Sequence, residues 1–319
     1  MSHNRLVGDV GGTNARFALL DDNNQPISSS TSTLRTDDFP SLAAAVSTYL
    51  SEHDIDRVTA AAVAVATPVV GDVIKLTNNH WSFSIEETRK QLGIDCMHVV
   101  NDFTALALSV PHLPASELIK VGGGEEVPNH AKAIIGPGTG LGVSGLIPCN
   151  GHWTALQGEG GHVSLGVRTP REFAVYELLS HKFRHVSAER FLSGPGLVNI
   201  VNALREIDGM SPHEYSPADV TEHGLASEPL PEHAACVEAL DIFCELLGSC
   251  AGNLVLTLGA EGGVYIGGGV VPRLGDFFLQ SGFREQFEAK GRMQHYLEKV
   301  PSYVIKSPYP ALVGAAQLI

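Results

Sequence analysis

Near the start of the chain an aspartate lies among glycines, in Gly8-Asp9-Val10-Gly11-Gly12-Thr13-Asn14. Glycine lets a backbone approach a ligand closely and turn its N–H groups toward an anion. A carboxylate in such a loop does not touch phosphate directly; it needs a Mg²⁺ ion between, and Asp9 is the candidate for that indirect role. The competing reading is a plain hairpin turn with Asp as a turn residue. A second glycine loop, Gly136-Pro137-Gly138-Thr139-Gly140-Leu141-Gly142, weighs against it, because two such loops can clamp one polyphosphate from opposite sides. Neither loop is a Walker A motif, and the H-R-D and D-F-G signatures of protein kinases are absent. A literal G-x-G-x-x-G runs from Gly140 to Gly145, but the residues after it are strand-like, and a dinucleotide fingerprint must open a helix.

Asn101-Asp102 follows a short apolar run and precedes a helical one. Ligands of open α/β sheets bind at the carboxyl ends of strands, and an Asp there can take a proton from a substrate hydroxyl. The plainer reading is a helix cap. Gly158-Glu159-Gly160-Gly161-His162 offers a carboxylate and an imidazole suited to sugar hydroxyls, or else forms a surface turn. Glu189 is a solvated carboxylate paired with Arg190 unless a ligand claims it. Gly267-Gly268-Gly269 after an apolar run can pass under an adenine ring, or simply turn a strand into a helix.

The elements that must position these residues follow from periodicity. Arg5–Val10 and residues 15–20 predict a hairpin, with a third strand over 27–34. Leu42, Val46 and Leu50 predict a helix. Strands are expected at 61–66, 73–76 and 97–100, and helices at 84–92 and 103–110. In the second half, strands are expected at 133–135, 141–147, 153–156, 262–266 and 303–306. Helices are expected near 173–181, 196–207, 217–226 and 232–257, with another after Gly269 and a short apolar end from Ala311. Gly12-Thr13 and Gly138-Thr139 each follow an apolar strand, one per half, so a duplicated α/β architecture with a cleft between the halves is expected.

Composition bounds the partners. At 319 residues the chain exceeds what one core usually spans, so two domains are expected. A net charge of −14 argues against nucleic-acid or anionic-membrane partners. The five cysteines show no C-x-x-C spacing and suit reduced, buried thiols. Asp9 interrupts the early apolar stretch and the run at 58–70 is too short for a membrane span, so a cytoplasmic protein is expected.

Read in order, the loops at 8–14, 101–103, 138–142 and 158–162 are followed by His185-Val186-Ser187-Ala188-Glu189, Ser193-Gly194-Pro195-Gly196 and Gly267-Gly268-Gly269-Val270-Val271-Pro272-Arg273. This series resembles the bacterial ATP-dependent glucokinases of the hexokinase/actin superfold (ribonuclease H-like) over nearly the whole chain. The cysteine-rich zinc motif of the ROK group is missing after His162, which points to the other bacterial group. The resemblance implies that Asp102 is the catalytic base and that Asn101, Asp102, Glu159, His162 and Glu189 bind the sugar. It implies that Gly8, Asp9, Gly11, Gly12, Thr13, Asn14, Gly138, Thr139 and Gly140 hold phosphates, and Gly267, Gly268 and Gly269 the adenosine. It further implies glucose and ATP as substrates, a small domain of residues 1–110 plus 301–319, a large domain of 111–300, and a homodimer. Pro137 departs from a full set of loop donors, since proline has no N–H. A kinase for another hexose or an amino sugar, and a non-catalytic sugar sensor, are the rival readings; an intact Asp102 and the lack of a helix-turn-helix before the first strand weigh against the sensor.

Overall fold

The computed structural model describes residues 4–77 and 79–319, which divide into two units: the described residues up to Pro114 with Ser307–Ile319, and Ala115–Lys306. In the first unit, β1 (Arg5–Val10), β2 (Asn14–Leu19), β3 (Ser32–Arg35), β4 (Ala60–Val65) and, after a small hairpin of β5 (Val73–Lys75) and β6 (Ser82–Ser84), β7 (Cys96–Asn101) are formed. The sheet order is β3-β2-β1-β4-β7. β1, β4 and β7 run parallel, with β2 and β3 antiparallel on one side.

The central strand explains the layering. β4 reads AAAVAV and is buried on both faces, as a parallel strand between two layers must be. Ala61, Val63 and Val65 share a core with Leu42, Val46 and Tyr49 of α1 (Leu42–Glu52). The alternate residues face the other layer: Ala62 joins Leu312 and Ala315 of the C-terminal helix Pro310–Ala315, and Ala64 joins Ala105 and Ala311. After α2 (Ile85–Gln91), Ala105 lies on α3 (Asp102–Ser109), the helix that Asp102 begins. The small side chains let the two helices approach so closely that a Cβ on Gly314 would overlap the Ala105 carbonyl.

The second unit repeats the plan. β8 (Leu118–Gly122), β9 (Lys132–Pro137), β10 (Leu141–Cys149), β11 (His152–Leu156), β12 (Val264–Ile266) and β13 (Ser302–Ile305) lie in the order β11-β10-β9-β12-β13-β8. Again an antiparallel meander of three strands leads into a parallel set, here β9, β12 and β13. The helical layer contains α4 (Pro170–Lys182), α5 (Gly194–Ile207), α6 (Pro217–Gly224) and α7 (Ala234–Leu258). Thr169 and Glu172 form a capping box at the start of α4. The stretch Pro231–Leu258 is long and apolar enough to cross a membrane, but 67% of its most apolar window is buried, and α7 contributes Phe243, Leu246 and Leu247 to the core.

Several expectations shift. The strand expected over 27–34 begins only at Ser32, because Ser28–Ser30 forms a 3-10 turn. Ser30 Oγ accepts from the Leu19 N–H (2.9 Å) and donates to the Ile27 carbonyl (2.8 Å), the local bonding by which serine competes with strand structure. Residues 301–306 fall in the second unit rather than the first, since β13 is hydrogen-bonded between β12 and β8. The end from Ala311 is a helix, with Pro310 at its first turn. The strand β8 has no counterpart in the sequence reading; it is short and lies at the sheet edge.

Closing α3 onto the C-terminal helix needs Gly314. Gly314→Ala should therefore destabilise the protein by on the order of 1–3 kcal/mol, the usual cost of overpacking. Urea denaturation checks this; an unchanged midpoint would show that the contact yields freely.

Candidate active site

In the first unit the site is built at the carboxyl ends of the parallel strands. Asp9 on β1 and Val100 on β7 both stand opposite Ala64 of β4, so Asp9 and Asp102 lie on the two sides of the central strand at the same edge. Asn101 is the N-cap of α3, its Oδ1 accepting from the N–H groups of Phe103 (2.9 Å) and Thr104 (3.3 Å). Its Nδ2 donates to the carbonyl of Thr67 (3.3 Å). The capping reading of Asn101 is thus correct, and it fixes the residue that follows. Asp102 Oδ1 accepts from the Phe103 N–H at 2.8 Å. Burial pushes the Asp102 carboxyl up to about 6, against the pull of the Phe103 N–H and with a further push from Asp9.

Asp9 is not in the turn but on the strand, directly opposite Arg16 of β2. Arg16 donates to Asp9 Oδ2 at 3.4 Å, and its guanidinium lies 5.9 Å from the ring centre of Tyr309. Burial pushes the Asp9 carboxyl up and Arg16 pulls it back. The turn itself, Gly11 to Asn14, closes with the Gly11 N–H on the Asn14 carbonyl (2.9 Å). Buried Thr36 takes both following carbonyls, its Oγ1 donating to Gly12 (2.8 Å) and its N–H to Thr13 (3.0 Å). In a trans peptide C=O and N–H point oppositely, so the bond to the Gly12 carbonyl turns the Thr13 N–H away from Thr36.

In the second unit the glycine loops meet at the ends of β9 and β12. The Gly267 N–H donates to the Ile135 carbonyl (2.9 Å) and the Val270 N–H to that of Pro137 (3.1 Å). Between them Gly268 has φ +78°, and a Cβ there would overlap the Pro137 carbonyl, so only glycine serves. Pro137 ends β9, and the first N–H after it, that of Gly138, is taken by the Gly140 carbonyl (2.8 Å). Thr139 is exposed at the tip.

Glu189 approaches the same loop. It sits in a 3-10 turn, Ala188–Arg190, and its Oε2 accepts from the Leu141 N–H at 3.0 Å. Arg190, the bland partner expected for it, instead lies over the Phe183 ring at 4.2 Å. The His162 carbonyl accepts from His185 Nε2 at 2.9 Å, and the Ala188 N–H donates to the Val163 carbonyl, so the 158–162 and 185–189 segments are stitched together. Glu159 and His162 are exposed, with Oε2 and Nε2 4.0 Å apart. The second unit therefore gathers Glu159, His162, Glu189 and the glycine loops, while Asn101, Asp102, Asp9 and the first loop belong to the first.

The family model described as Glucokinase matches residues 6–319. The chain belongs to the glucokinase family. The glucokinase of Chromobacterium violaceum is 52% identical over 98% of this chain and 88% of its own length. The crystal structure of a glucokinase from an Antarctic psychrotroph superposes with a TM-score of 0.90 at 34% identity, covering 100% of this chain and 99% of that one. A ROK family glucokinase from Streptomyces griseus, solved with glucose and AMPPNP, shares the fold with a TM-score of 0.63 at 18% identity, over 99% and 98% of the two chains. The mixed α/β sheets of this glucokinase-family chain are thus those of a hexokinase-like kinase fold.

Sequence reasoning missed the supports: Arg16, Thr36, Thr67 and Ser193. Arg16 was findable, since a hairpin across the 8–14 loop places it opposite Asp9. Ser193, which caps α5 through the Gly196 N–H (3.0 Å) and donates to the Glu189 carbonyl (2.8 Å), carried a readable S-G-P-G signal. Thr36 and Thr67 gave none, because their bonds span distant segments.

A carboxyl held near 6 titrates within the working range. Where Asp102 must be ionised to act, kcat/KM should fall as pH drops through about 6, while the Asp102→Asn variant's residual activity lacks that limb. A pH–rate profile that stays flat to pH 5 would contradict this.

Proposed function

We infer that this glucokinase-family chain phosphorylates glucose at the 6-hydroxyl with ATP, giving glucose 6-phosphate and ADP. Family membership over residues 6–319 supports the activity. The observation that carries the residue assignment is Asp102: a carboxylate at the carboxyl end of the parallel strand β7, held by α3's first turn, with its acidity shifted toward neutrality. In this reading Asp102 orients the hydroxyl and takes its proton, a role worth typically ~10²–10⁴-fold in rate. Asn101, Glu159, His162 and Glu189 hold the remaining hydroxyls, the carboxylates as acceptors of charge-assisted hydrogen bonds. Backbone N–H groups of the 8–14 and 138–142 loops hold the phosphates, and Gly267, Gly268 and Gly269 pass the adenosine.

The residues fit Mg²⁺ better than a resident structural metal. Among the described residues no group of three or more His, Cys, Asp or Glu side chains can hold a metal ion. Mg²⁺ needs less, being held by one or two carboxylates, waters and the substrate's phosphates. Asp9, partly exposed and oriented by Arg16, is the side chain that would hold it through water. When bound with the nucleotide, Mg²⁺ supplies neutralisation of phosphate charge. Transfer requires the hydroxyl and the γ-phosphate to share one site. A cytoplasmic homodimer completes the proposal.

A coupled ADP-release assay over a panel of hexoses and amino sugars tests it. Glucose-dependent turnover that requires Mg²⁺ is expected. Turnover with only another sugar would reassign the substrate, and saturable glucose binding without turnover would make the chain a sensor. Glu159→Gln, which keeps shape and removes charge, should lose on the order of 1.5–3 kcal/mol of glucose affinity by calorimetry; an unchanged affinity would return Glu159 to the solvated surface.

A further inference from the structure

Leu141, which leads the second glycine loop into β10, is gripped by both segments of the second unit that carry candidate sugar residues. Its N–H donates to Glu189 Oε2 at 3.0 Å. Its carbonyl lies against the turn Gly160–His162, so near that a Cβ on Gly161 would overlap it. A Cβ on Gly160 would meet the Val143 side chain at 2.7 Å. The turn between Glu159 and His162 therefore rests directly on the strand that the loop feeds.

The segment after Glu189 returns to the loop's other end. Ser193 Oγ donates to the Glu189 carbonyl at 2.8 Å, and the Gly194 N–H, at the start of α5, donates to the Gly138 carbonyl at 2.8 Å. From Gly138 along the chain to Leu141, across to Glu189, along to Gly194 and back to Gly138, every link is covalent or a hydrogen bond. The loop is thus one side of a closed ring. Gly140 lies inside it: a Cβ there would overlap Glu189 Oε2, although its backbone has no positive φ. Glycine at 140 leaves room for the carboxylate. Glu189 is partly exposed, and an ionised carboxylate has about four acceptor sites, so Oε2 can hold Leu141 while Oε1 accepts from a ligand hydroxyl.

We propose that Glu189 is a positioning residue for the nucleotide as well as a ligand of the sugar: it closes the ring that shapes the Gly138–Gly140 loop, and a sugar hydroxyl on its other oxygen stiffens that loop before phosphates arrive. This coupling rests on the function proposed above, in which Glu189 meets the sugar and the loop meets the phosphates. A loop already ordered loses less conformational freedom on receiving its ligand. By linkage, nucleotide must then tighten sugar binding by the same factor.

Two variants separate the ring from the charge. Glu189→Gln keeps a carbonyl oxygen for the Leu141 N–H, and Glu189→Ala removes it. In hydrogen exchange on the unliganded protein, the Leu141 amide should exchange at least about tenfold faster in Glu189→Ala, the equivalent of one ordinary hydrogen bond. In Glu189→Gln it should stay protected. By calorimetry without sugar, Kd for Mg²⁺–AMPPNP should rise at least about fivefold in Glu189→Ala, the low end of couplings between sites, and stay within about twofold in Glu189→Gln. Glucose should slow Leu141 exchange in the unaltered protein. Should Glu189→Ala not fold, Gly140→Ala, which displaces Oε2 from inside the ring, is read in its place. Equal AMPPNP affinity in Glu189→Ala and the unaltered protein overturns the proposal. So does an equal loss in both variants, which would assign the effect to charge, and so does glucose that binds yet leaves Leu141 exchange unchanged. Failure of the underlying function looks different: the unaltered protein then binds no glucose or no AMPPNP, and the nucleotide role falls with it, while Leu141 exchange still separates the two variants.

Discussion

A carboxylate kept from water at the end of a strand is costly, and the first unit is organised around holding one. Water is withdrawn from Asp102, the charge of Asp9 stands across β4, and the N–H of Phe103 only partly offsets both. The acid's proton affinity in the fold, near 6, exceeds its ordinary 3.8. The stability that its protonated form contributes is fully present below 3.8 and lost as pH rises through about 6, so at neutral pH the ionised group is a burden on the fold. Asn101 holds it in place by capping α3 and tying itself to Thr67. The alanines of β4 and the close contact of Gly314 with Ala105 let α3 pack tightly against the sheet and the C-terminal helix.

The second unit solves a different problem on a sheet that repeats the first unit's order and adds β8 at its edge. Here the candidate donors are backbone N–H groups, so the constraint is how near main chain can come to main chain. Gly268 passes the Pro137 carbonyl at a left-handed φ, and Gly194 braces Gly138. Among the described residues Glu189 is the one acidic side chain hydrogen-bonded to this loop, and the Leu141 N–H fixes it. A carboxylate already holding one N–H is oriented before any ligand arrives, which lowers the ordering cost of binding.

Much of this was legible from residue order. The hairpin carrying Asp9, the capped start of α3 and the glycine turns after β9 and β12 all carry local signals: alternation, a capping side chain, or glycine after an apolar run. The duplication showed as paired Gly-Thr turns and became a shared strand order. What stayed hidden was set at long range. Arg16 draws its role from strand register, Thr36 from a loop that returns to Gly12, and the pairing of Glu189 with Leu141 from the packing of two distant turns. The strand expected over 27–34 failed where Ser30 found backbone partners, and the tail was divided wrongly because β13 hydrogen-bonds to β12, far earlier in the chain.

The central claim is that the fold bears the burden of an ionised Asp102 for the sake of proton transfer. The most direct measurement is kcat and melting temperature at neutral pH on Asp102→Asn, which keeps the size and can still accept from the Phe103 N–H. The account predicts a kcat loss of at least ~10²-fold, with KM for ATP little changed and a melting temperature equal to or above that of the unaltered protein. Near-normal turnover would contradict it, as would a marked fall in melting temperature, which would make Asp102 a structural cap whose charge the fold needs.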